Sequence, residues 1–294
     1  MKQPLPLAVK SFAKINLFLR ILNRRKDNFH NLSTLFCRID LADRIIFRNR
    51  PDGLIKIRSS NKNIPTDSRN LCWQAANLLK QEKKTDSGVE IEIKKNIPVG
   101  AGLGGGSSNA ASALLGLNKY WRLNLSLKEL ASLGAKLGSD IPFFIYNTKF
   151  ALGSQRGDKI TPLDDLSRVR LWFIVIFPKI NVSTPLIYRK FDHFSRLTMP
   201  HCDVKMLISE LLEQGSRLEP KYLFNDLEIA TISLYPVINQ VKKAFSDIGL
   251  EKILMTGSGA AVFALCKHRQ QAQDLGKKLK QKHKSWQIFV TSAI

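Results

Sequence analysis

The sequence predicts an α+β protein of two domains, and three observations support this prediction. The chain has 294 residues, more than the roughly 100–200 that single domains commonly contain. Residues 89–94 alternate between apolar and charged side chains, and residues 171–177 form a continuous apolar run, as half-exposed and buried strands do. Residues 153–168 are polar and rich in turn formers. We therefore predict one domain from 1 to 162 and another from 163 to 294.

Strands and helices are interspersed in the first half. Residues 11–22 alternate as a strand does, and residues 69–80 have an apolar side with helical spacing. The remaining elements predicted here are strands at 43–48, 54–58 and 89–94, and a helix at 107–118 after a glycine-rich turn. Ser126 and Glu129 have the spacing of a capping box, which opens a helix that ends near Gly138.

The second half begins with the buried-type strand Leu171–Phe177. Helices are predicted around 203–214 and 234–248, and strands at 252–255, 261–266 and 286–292. Ligand sites occur preferentially between domains, so we expect the chemistry in the groove between the two halves.

The chain is strongly basic, with 46 Lys and Arg against 24 Asp and Glu, a formal net charge of +22. Such an excess attracts phosphates at long range. Its densest part, at residues 277–284, also has the spacing of an exposed helix face, which is the favoured interpretation. A basic nucleic-acid-binding protein remains an alternative, but no aromatic and basic RNA motif is present and no specific nucleic acid is expected.

Cysteine usage and hydropathy indicate a cytoplasmic protein. Cys37, Cys72, Cys202 and Cys266 are far apart and form no C-x-x-C pair, so neither a zinc site nor a disulfide framework is expected. The apolar run from Phe12 to Leu22 is interrupted by polar residues, unlike a secretory signal. No apolar stretch reaches the roughly 18 residues that a membrane span needs, so no membrane association is predicted.

A glycine loop at residues 98–109, PVGAGLGGGSSN, is the strongest local motif. Five glycines lie between Gly100 and Gly106, followed by two serines and a predicted helix. Glycine allows close backbone approach to a ligand, and a helix N-terminus offers unpaired N–H groups to an anion. The loop therefore predicts a polyphosphate site; a flexible turn with a serine cap is the alternative.

Three common nucleotide signatures do not fit this sequence. Gly100, Gly102 and Gly105 match G-x-G-x-x-G, but a dinucleotide fold also needs an acidic residue about 20 positions later. The next acidic residue is Glu129, which belongs to a helical pattern. No lysine follows the glycines as in a Walker A loop, and the protein-kinase signatures are missing.

Three polar residues outside the loop are candidate site residues. Lys14 and Asn16 share one face of the first strand, about 7 Å apart, which is typical of a site wall. Lys14 can alternatively extend its ammonium group to the surface. Asp140 can act as a general base, or it can cap a helix that begins at Ile141-Pro142.

The sequence P-x-G-x-G-L-G-G-G-S-S-N-A-A resembles the central motif of the GHMP kinases, named for galacto-, homoserine, mevalonate and phosphomevalonate kinases. The segments AKINL, Phe29-His30, TLFCRIDLAD, GSDIPFF and MTGSGAAVFAL extend the resemblance in order over nearly the whole chain. Together they resemble the branch that phosphorylates a cytidine-bearing alcohol.

The resemblance implies a fold and a reaction. The first domain should resemble domain 2 of ribosomal protein S5, and the second should be ferredoxin-like. ATP should phosphorylate the 2-hydroxyl of 4-diphosphocytidyl-2-C-methyl-D-erythritol to give the 2-phosphate and ADP in the non-mevalonate isoprenoid pathway. Mg²⁺ should accompany ATP, with no protein ligand identified, and the protein should be a monomer or homodimer. Another GHMP kinase, of mevalonate or homoserine type, is the alternative.

The resemblance also implies roles for individual residues. Asp140 would be the catalytic base, and Lys14 beside it would stabilise the carboxylate and the charge of the transferring phosphoryl group. The implied ATP-binding residues are Asn70, Pro98, Gly100, Gly102, Leu103, Gly104, Gly105, Gly106, Ser107 and Ser108. The implied substrate-binding residues are Asn16, Phe29, His30, Thr184, Tyr188, Gly257, Ser258 and Gly259. The family usually has tyrosine in place of Phe29, so this chain keeps the ring and loses the hydroxyl.

Overall fold

The computed structural model describes residues 5–194 and 203–294, and its secondary structure is mixed α and β. A seven-stranded sheet lies mainly in the first half and a four-stranded sheet in the second half. The strands of the larger sheet are β1 (Leu7–Arg24), β2 (His30–Arg50), β3 (Ile55–Ser59), β4 (Gly88–Lys94), β5 (Phe150–Ser154), β6 (Lys159–Pro162) and β8 (Phe224–Asn225). The predicted α+β class is confirmed.

The larger sheet has the order β3-β4-β2-β1-β8, with β5 pairing β2 and β6. Its centre is the long antiparallel pair of β1 and β2, which is interrupted by bulges such as the one between Phe12 and Ala13. The helices of the first half are α1 (Leu71–Lys83), α2 (Gly105–Tyr120), α3 (Leu127–Leu137) and α4 (Ile141–Tyr146). Apolar residues of these helices and of the sheet form one of the two core clusters.

The smaller sheet has the order β11-β7-β10-β9 and is antiparallel. Its strands are β7 (Trp172–Phe177), β9 (Ile253–Met255), β10 (Val262–Cys266) and β11 (Gln287–Ser292). The helices of this half are α5 (Thr184–Phe194), α6 (Val204–Gln214), α7 (Leu227–Leu234), α8 (Val237–Ser246) and α9 (Arg269–Lys282).

The two halves share a second core cluster. It joins Ala13, Ile15 and Leu17 of β1 to the buried strands β7 and β10. Short strand β8 also pairs in parallel with β1, so a segment beyond residue 162 completes the larger sheet. The boundary after residue 162 stays a prediction, and the shared core shows that the two halves pack directly on each other.

Three local features differ from the sequence expectation. The polar stretch 153–168 contains part of the β5–β6 hairpin, because buried Phe150 and Ala151 pair with Cys37 and Phe36 of β2. The predicted helix at 234–248 begins only at Val237, since Pro236 starts a new helix after α7. Helix α5 was not expected from the sequence, although it carries part of the site described below.

Cys37, Cys72 and Cys266 are buried free thiols, and Cys202 lies outside the described residues. Burial raises the pKa of the Cys72 thiol to about 12 and that of Cys266 to about 11, so both stay protonated at neutral pH. Among residues 5–194 and 203–294, no helix is both long and apolar enough to cross a bilayer.

Candidate active site

Lys14 and Asp140 form an ion pair at the junction of the two halves. The Nζ atom of Lys14 lies 3.3 Å from Oδ2 of Asp140, and the lysine side chain is only 4% exposed. Asp140 occupies the position before α4, but its side chain makes no capping hydrogen bond. The capping interpretation of its carboxylate therefore fails, and the carboxylate is free to face Lys14 and the cleft.

Hydrogen bonds from both halves orient the Lys14 ammonium group. Lys14 Nζ donates to Oδ1 of Asn16 at 2.7 Å, and Nδ2 of Asn16 donates to the hydroxyl of Thr34 at 2.7 Å. The backbone N–H of Asn16 donates to the hydroxyl of Thr256 at 3.0 Å. Thr34 and Thr256 were not predicted as site residues, although each lies within a segment that carried the family resemblance. Their positions fix Asn16 and, through it, Lys14.

The glycine loop packs against a second glycine turn. Gly102 has a positive φ of 75°, and a Cβ atom there would lie 2.4 Å from the carbonyl oxygen of Thr256. Next to it, the carbonyl of Ala101 accepts a hydrogen bond from the N–H of Ala261 at 3.0 Å. The backbones thus touch where a side chain would separate them, so the close approach of the two turns explains the need for glycine at residue 102.

The loop also contacts Lys14 directly. A Cβ atom on Gly104 would lie 3.1 Å from Cγ of Lys14, and the carbonyl of Leu103 accepts a hydrogen bond from the Lys14 N–H at 3.0 Å. Helix α2 begins at Gly105, so its first N–H groups and the positive end of its dipole lie beside the ion pair. A polyphosphate bound by these groups would be adjacent to Lys14 and Asp140.

Only part of the predicted ATP-binding set faces the cleft. Gly102, Gly104 and Ser107 line it. Ser108 is buried: its hydroxyl lies 2.8 Å from that of Ser11 and its N–H donates to Gly104. Ser108 therefore anchors α2, and its predicted hydroxyl contribution to the anion site has no support in this geometry. Contacts of Pro98, Gly100, Leu103, Gly105 and Gly106 with ATP stay predictions.

Asn70 caps helix α1. Its Oδ1 accepts from the N–H of Cys72 at 2.8 Å, and its Nδ2 donates to the carbonyl of Pro65 at 2.7 Å. The oxygen and the nitrogen of its amide are thus each bound by the protein. The segment that contains Asn70 lies near the glycine loop: a Cβ atom on Gly106 would be 3.7 Å from the side chain of Leu71, the residue after Asn70. A role for Asn70 in ATP binding stays a prediction.

A buried polar network lies behind the glycine loop. The Asp43 side chain is fully buried and accepts from Lys95 Nζ, from Nδ2 of Asn109 at 2.8 Å, and from the N–H groups of Asn96 and Ile97 at 2.7 and 2.8 Å. It joins β2 to the segment before the loop and to α2. Sequence reasoning did not identify this network; Asp43 ends the segment TLFCRIDLAD.

Replacement of Asp43 by asparagine is expected to lower the free energy of unfolding by about 3–5 kcal/mol, because the Lys95 ammonium group would stay buried without its carboxylate. Urea denaturation measures the change, with exposed Asp165→Asn as the control. The double variant Asp43→Asn/Lys95→Met should recover part of the loss. An unfolding free energy equal to the wild-type value in the single variant would contradict a stabilising role for this pair.

A cleft of about 680 Å³ joins the predicted site residues from both halves. Its lining includes the catalytic candidates Lys14 and Asp140, the loop residues named above, and the substrate-binding candidates Asn16, Phe29, His30, Thr184, Tyr188, Gly257 and Ser258. Gly259 is not part of the lining. The cleft therefore extends from the glycine loop past the ion pair to the aromatic residues.

The aromatic end of the cleft is built from both halves. The rings of His30 and Tyr188 stack with centroids 5.2 Å apart, and the Phe29 side chain is 56% exposed. The Arg156 guanidinium lies 5.3 Å from the centre of the Phe29 ring, and Nε of Arg156 donates to Asp158 at 3.0 Å. Arg156 was not predicted as a site residue; its guanidinium contacts the Phe29 ring while it forms an ion pair with Asp158.

Helix α5 presents Thr184 and Tyr188 to the cleft from one face, since residues four apart on a helix are neighbours. The Thr184 and Ser258 hydroxyls lie 2.7 Å apart, which links this helix to the second glycine turn. Burial and the negative charge of Asp140 raise the pKa of Tyr188, so the phenol is protonated and can donate a hydrogen bond at neutral pH.

Comparison with protein families and individual proteins identifies relatives over almost the whole chain. The GHMP kinases N terminal domain matches residues 70–148, and the GHMP kinases C terminal domain matches residues 206–285. The 4-diphosphocytidyl-2-C-methyl-D-erythritol kinase of Geobacillus sp. (strain WCH70) is 43% identical over 269 residues, covering 91% of this chain and 90% of the relative. That of Bacillus subtilis (strain 168) is 39% identical over 266 residues, covering 90% and 89%.

Solved structures show the same relationship. A crystal structure of 4-(cytidine 5'-diphospho)-2C-methyl-D-erythritol kinase has a TM-score of 0.81 and 30% identity, and the match covers 97% of this chain and 98% of that one. A crystal structure of mevalonate kinase has a TM-score of 0.73 at 15% identity, with 97% and 98% covered, and this likeness concerns the fold alone.

Proposed function

This chain belongs to the GHMP kinases and, among them, to the 4-diphosphocytidyl-2-C-methyl-D-erythritol kinases, and we propose on that basis that it phosphorylates the 2-hydroxyl of 4-diphosphocytidyl-2-C-methyl-D-erythritol. ATP is the phosphoryl donor, and the products are the 2-phosphate and ADP. The observation that carries the proposal is the Lys14–Asp140 pair, which lies in one cleft with the glycine loop and the aromatic wall. The reaction belongs to the non-mevalonate isoprenoid pathway.

Bound ATP supplies the γ-phosphoryl group. The close-packed glycines and the N-terminus of α2 suit its phosphates, because backbone N–H groups there are unpaired and the helix dipole favours negative charge. The protein oxygens that line the cleft near the loop include the Asp140 carboxylate and the Ser107 hydroxyl. So few protein oxygens suit a Mg²⁺ ion that is held mainly by phosphate oxygens and water. Within the described chain, no group of three or more His, Cys, Asp or Glu side chains could form an all-protein metal cage.

Asp140 is the general base of this proposal. Its carboxylate accepts the proton of the acceptor hydroxyl while the oxygen attacks, a role that requires a side chain facing the cleft rather than one engaged in helix capping. Lys14 contacts both the carboxylate and the loop backbone. Its charge stabilises the ionised base and the negative charge that increases on the transferring group.

The aromatic end of the cleft suits the cytidine of the acceptor. Phe29 and Tyr188 offer ring faces for stacking, and aromatic stacking contributes about 1–3 kcal/mol per base in nucleic-acid sites. In this proposal His30, which lines the same end of the cleft, hydrogen-bonds the edge of the cytosine. Thr184, Gly257 and Ser258 line the same cleft, and we assign to them, with Asn16, the contacts to the sugar alcohol and its diphosphate.

The acceptor is tested by measuring ADP release with Mg-ATP and one of three alcohols: 4-diphosphocytidyl-2-C-methyl-D-erythritol, mevalonate or homoserine. We expect turnover of the first alone, because only that alcohol carries a base for the aromatic wall. Turnover of mevalonate or homoserine instead would keep the kinase activity and overturn the proposed cytidine pocket. No turnover of any alcohol would overturn the enzymatic function itself.

The remaining expectations concern the setting of the enzyme. The proposed partners of the enzyme are the cytidine-bearing acceptor and ATP. The enzyme itself is proposed to be a monomer or homodimer in the cytoplasm. The net charge of +22 can draw both anionic substrates towards the cleft without any nucleic-acid role.

A further inference from the structure

A contact across the cleft concerns which nucleobase the site accepts. Asp192 lies on α5 and His30 at the start of β2, so the two residues come from opposite halves of the chain. Nε2 of His30 lies 2.7 Å from Oδ1 of Asp192. The histidine is 7% exposed and both residues line the cleft. The sequence predicted that His30 binds the cytosine ring, but it predicted no role for Asp192.

This contact determines which ring nitrogen of His30 carries a hydrogen. A carboxylate can only accept, so Nε2 must be the N–H that donates to Asp192. In the neutral ring Nδ1 is then an acceptor, and no hydrogen bond within the described part of the chain occupies it. The Tyr188 ring stacks on the imidazole, and Nη1 of Arg24 forms a wider ion pair with Oδ2 of Asp192 at 3.8 Å.

We propose that Asp192 is a positioning residue for base selectivity, because it fixes His30 with Nδ1 as a hydrogen-bond acceptor towards the base. Cytosine presents a 4-amino donor at its edge, whereas uracil presents a 4-keto acceptor at the same place. As an acceptor, Nδ1 can receive a hydrogen bond from the 4-amino group of cytosine. The 4-keto oxygen of uracil is also an acceptor, so no hydrogen bond can form between it and Nδ1. This inference rests on the proposed function, since it assumes that the base lies at the aromatic end of the cleft.

The fixed position of the ring hydrogen explains how one imidazole can distinguish cytosine from uracil. Without the carboxylate, the ring is free to place its hydrogen on either nitrogen, so it can serve cytosine as an acceptor or uracil as a donor. A site arranged for one hydrogen-bond pattern discriminates strongly because the wrong base leaves polar groups unpaired. Asp192 removes the second option by holding the proton on Nε2.

The test measures kcat/KM for 4-diphosphocytidyl-2-C-methyl-D-erythritol and for its uridine analogue, with wild-type protein and the variants Asp192→Ala and Asp192→Asn. We expect wild type to prefer the cytidine substrate, and Asp192→Ala to reduce that preference about tenfold or more. Asp192→Asn should retain most of it, because the amide oxygen can still accept from Nε2. Exposed Asp274→Ala on α9 is the matched control and should leave the ratio unchanged.

A second readout follows the proton itself. The ¹⁵N chemical shifts of the His30 ring should show Nε2–H alone in wild type and in Asp192→Asn, and a mixture of both N–H forms in Asp192→Ala. If Asp192→Ala lowers kcat/KM equally for both bases and keeps the Nε2–H form, Asp192 only supports the structure and the inference is wrong. Wild-type turnover of both substrates at equal rates would also overturn it while leaving the proposed kinase function intact. Absence of turnover with the cytidine substrate would instead overturn the proposed function.

Discussion

Asp140→Asn is expected to lower kcat by about 10²–10⁴-fold, the range that general-base catalysis contributes. Asparagine keeps the size of the side chain but cannot accept the hydroxyl proton. It leaves helix α4 intact, because the Asp140 side chain makes no capping hydrogen bond. Steady-state ADP release at saturating acceptor measures the change.

The matched control for this prediction is Asp165→Asn, which makes the same exchange at an exposed position outside the cleft lining. It should retain wild-type turnover. The affinity of Asp140→Asn for the acceptor, measured by calorimetry, should change far less than kcat, since the base acts during transfer. A variant that keeps wild-type kcat would show that another group accepts the proton and would remove Asp140 from the mechanism.

Lys14→Met is expected to lower kcat by about 10²–10³-fold, the loss typical of removing one preorganised charge-stabilising group. Methionine fills much of the space of the lysine stem within the buried strand, so the fold should persist. It removes the ammonium group that lies 3.3 Å from Asp140 and 2.7 Å from Oδ1 of Asn16. Rapid-quench measurement of a single turnover separates this loss from slower product release.

The control is Lys56→Met. Lys56 is an exposed lysine on strand β3, so this variant makes the same substitution on a strand of the same sheet. Circular dichroism should give the same spectrum for both variants and wild type. Near-normal turnover in Lys14→Met with a native spectrum would exclude a catalytic role for Lys14 and reduce its interaction with Asp140 to a structural one.

The sequence predicted the parts of the site that depend on local pattern. Consecutive glycines before small helix formers predicted an anion-binding loop followed by a helix at 107–118, and that helix is present at Gly105–Tyr120. Alternation in the first strand placed Lys14 and Asn16 on one face, and the two side chains are hydrogen-bonded. Short-range geometry fixes both results, because strand and helix periods are properties of the backbone.

Other residues could not be assigned in this way. Ser108 follows Ser107 directly, yet the phase of α2 turns its hydroxyl towards buried Ser11. Asn70 was equally compatible with a cap and with a ligand contact, and its capping bonds became visible only with the position of α1. Asp192 was overlooked because α5 was not predicted, although it follows Thr184 and Tyr188 at four-residue intervals.

By itself, then, the sequence determined the α+β class, the family, the glycine loop and the candidates Lys14 and Asp140, since motifs and periodicity are local properties of the chain. Tertiary structure alone decided that Asp140 pairs with Lys14 instead of capping α4, that Thr256 supports Asn16, and that Asp192 faces His30. Each of these contacts joins residues far apart along the chain. Their distances depend on how the shared core packs the two halves together, and no local pattern encodes that packing.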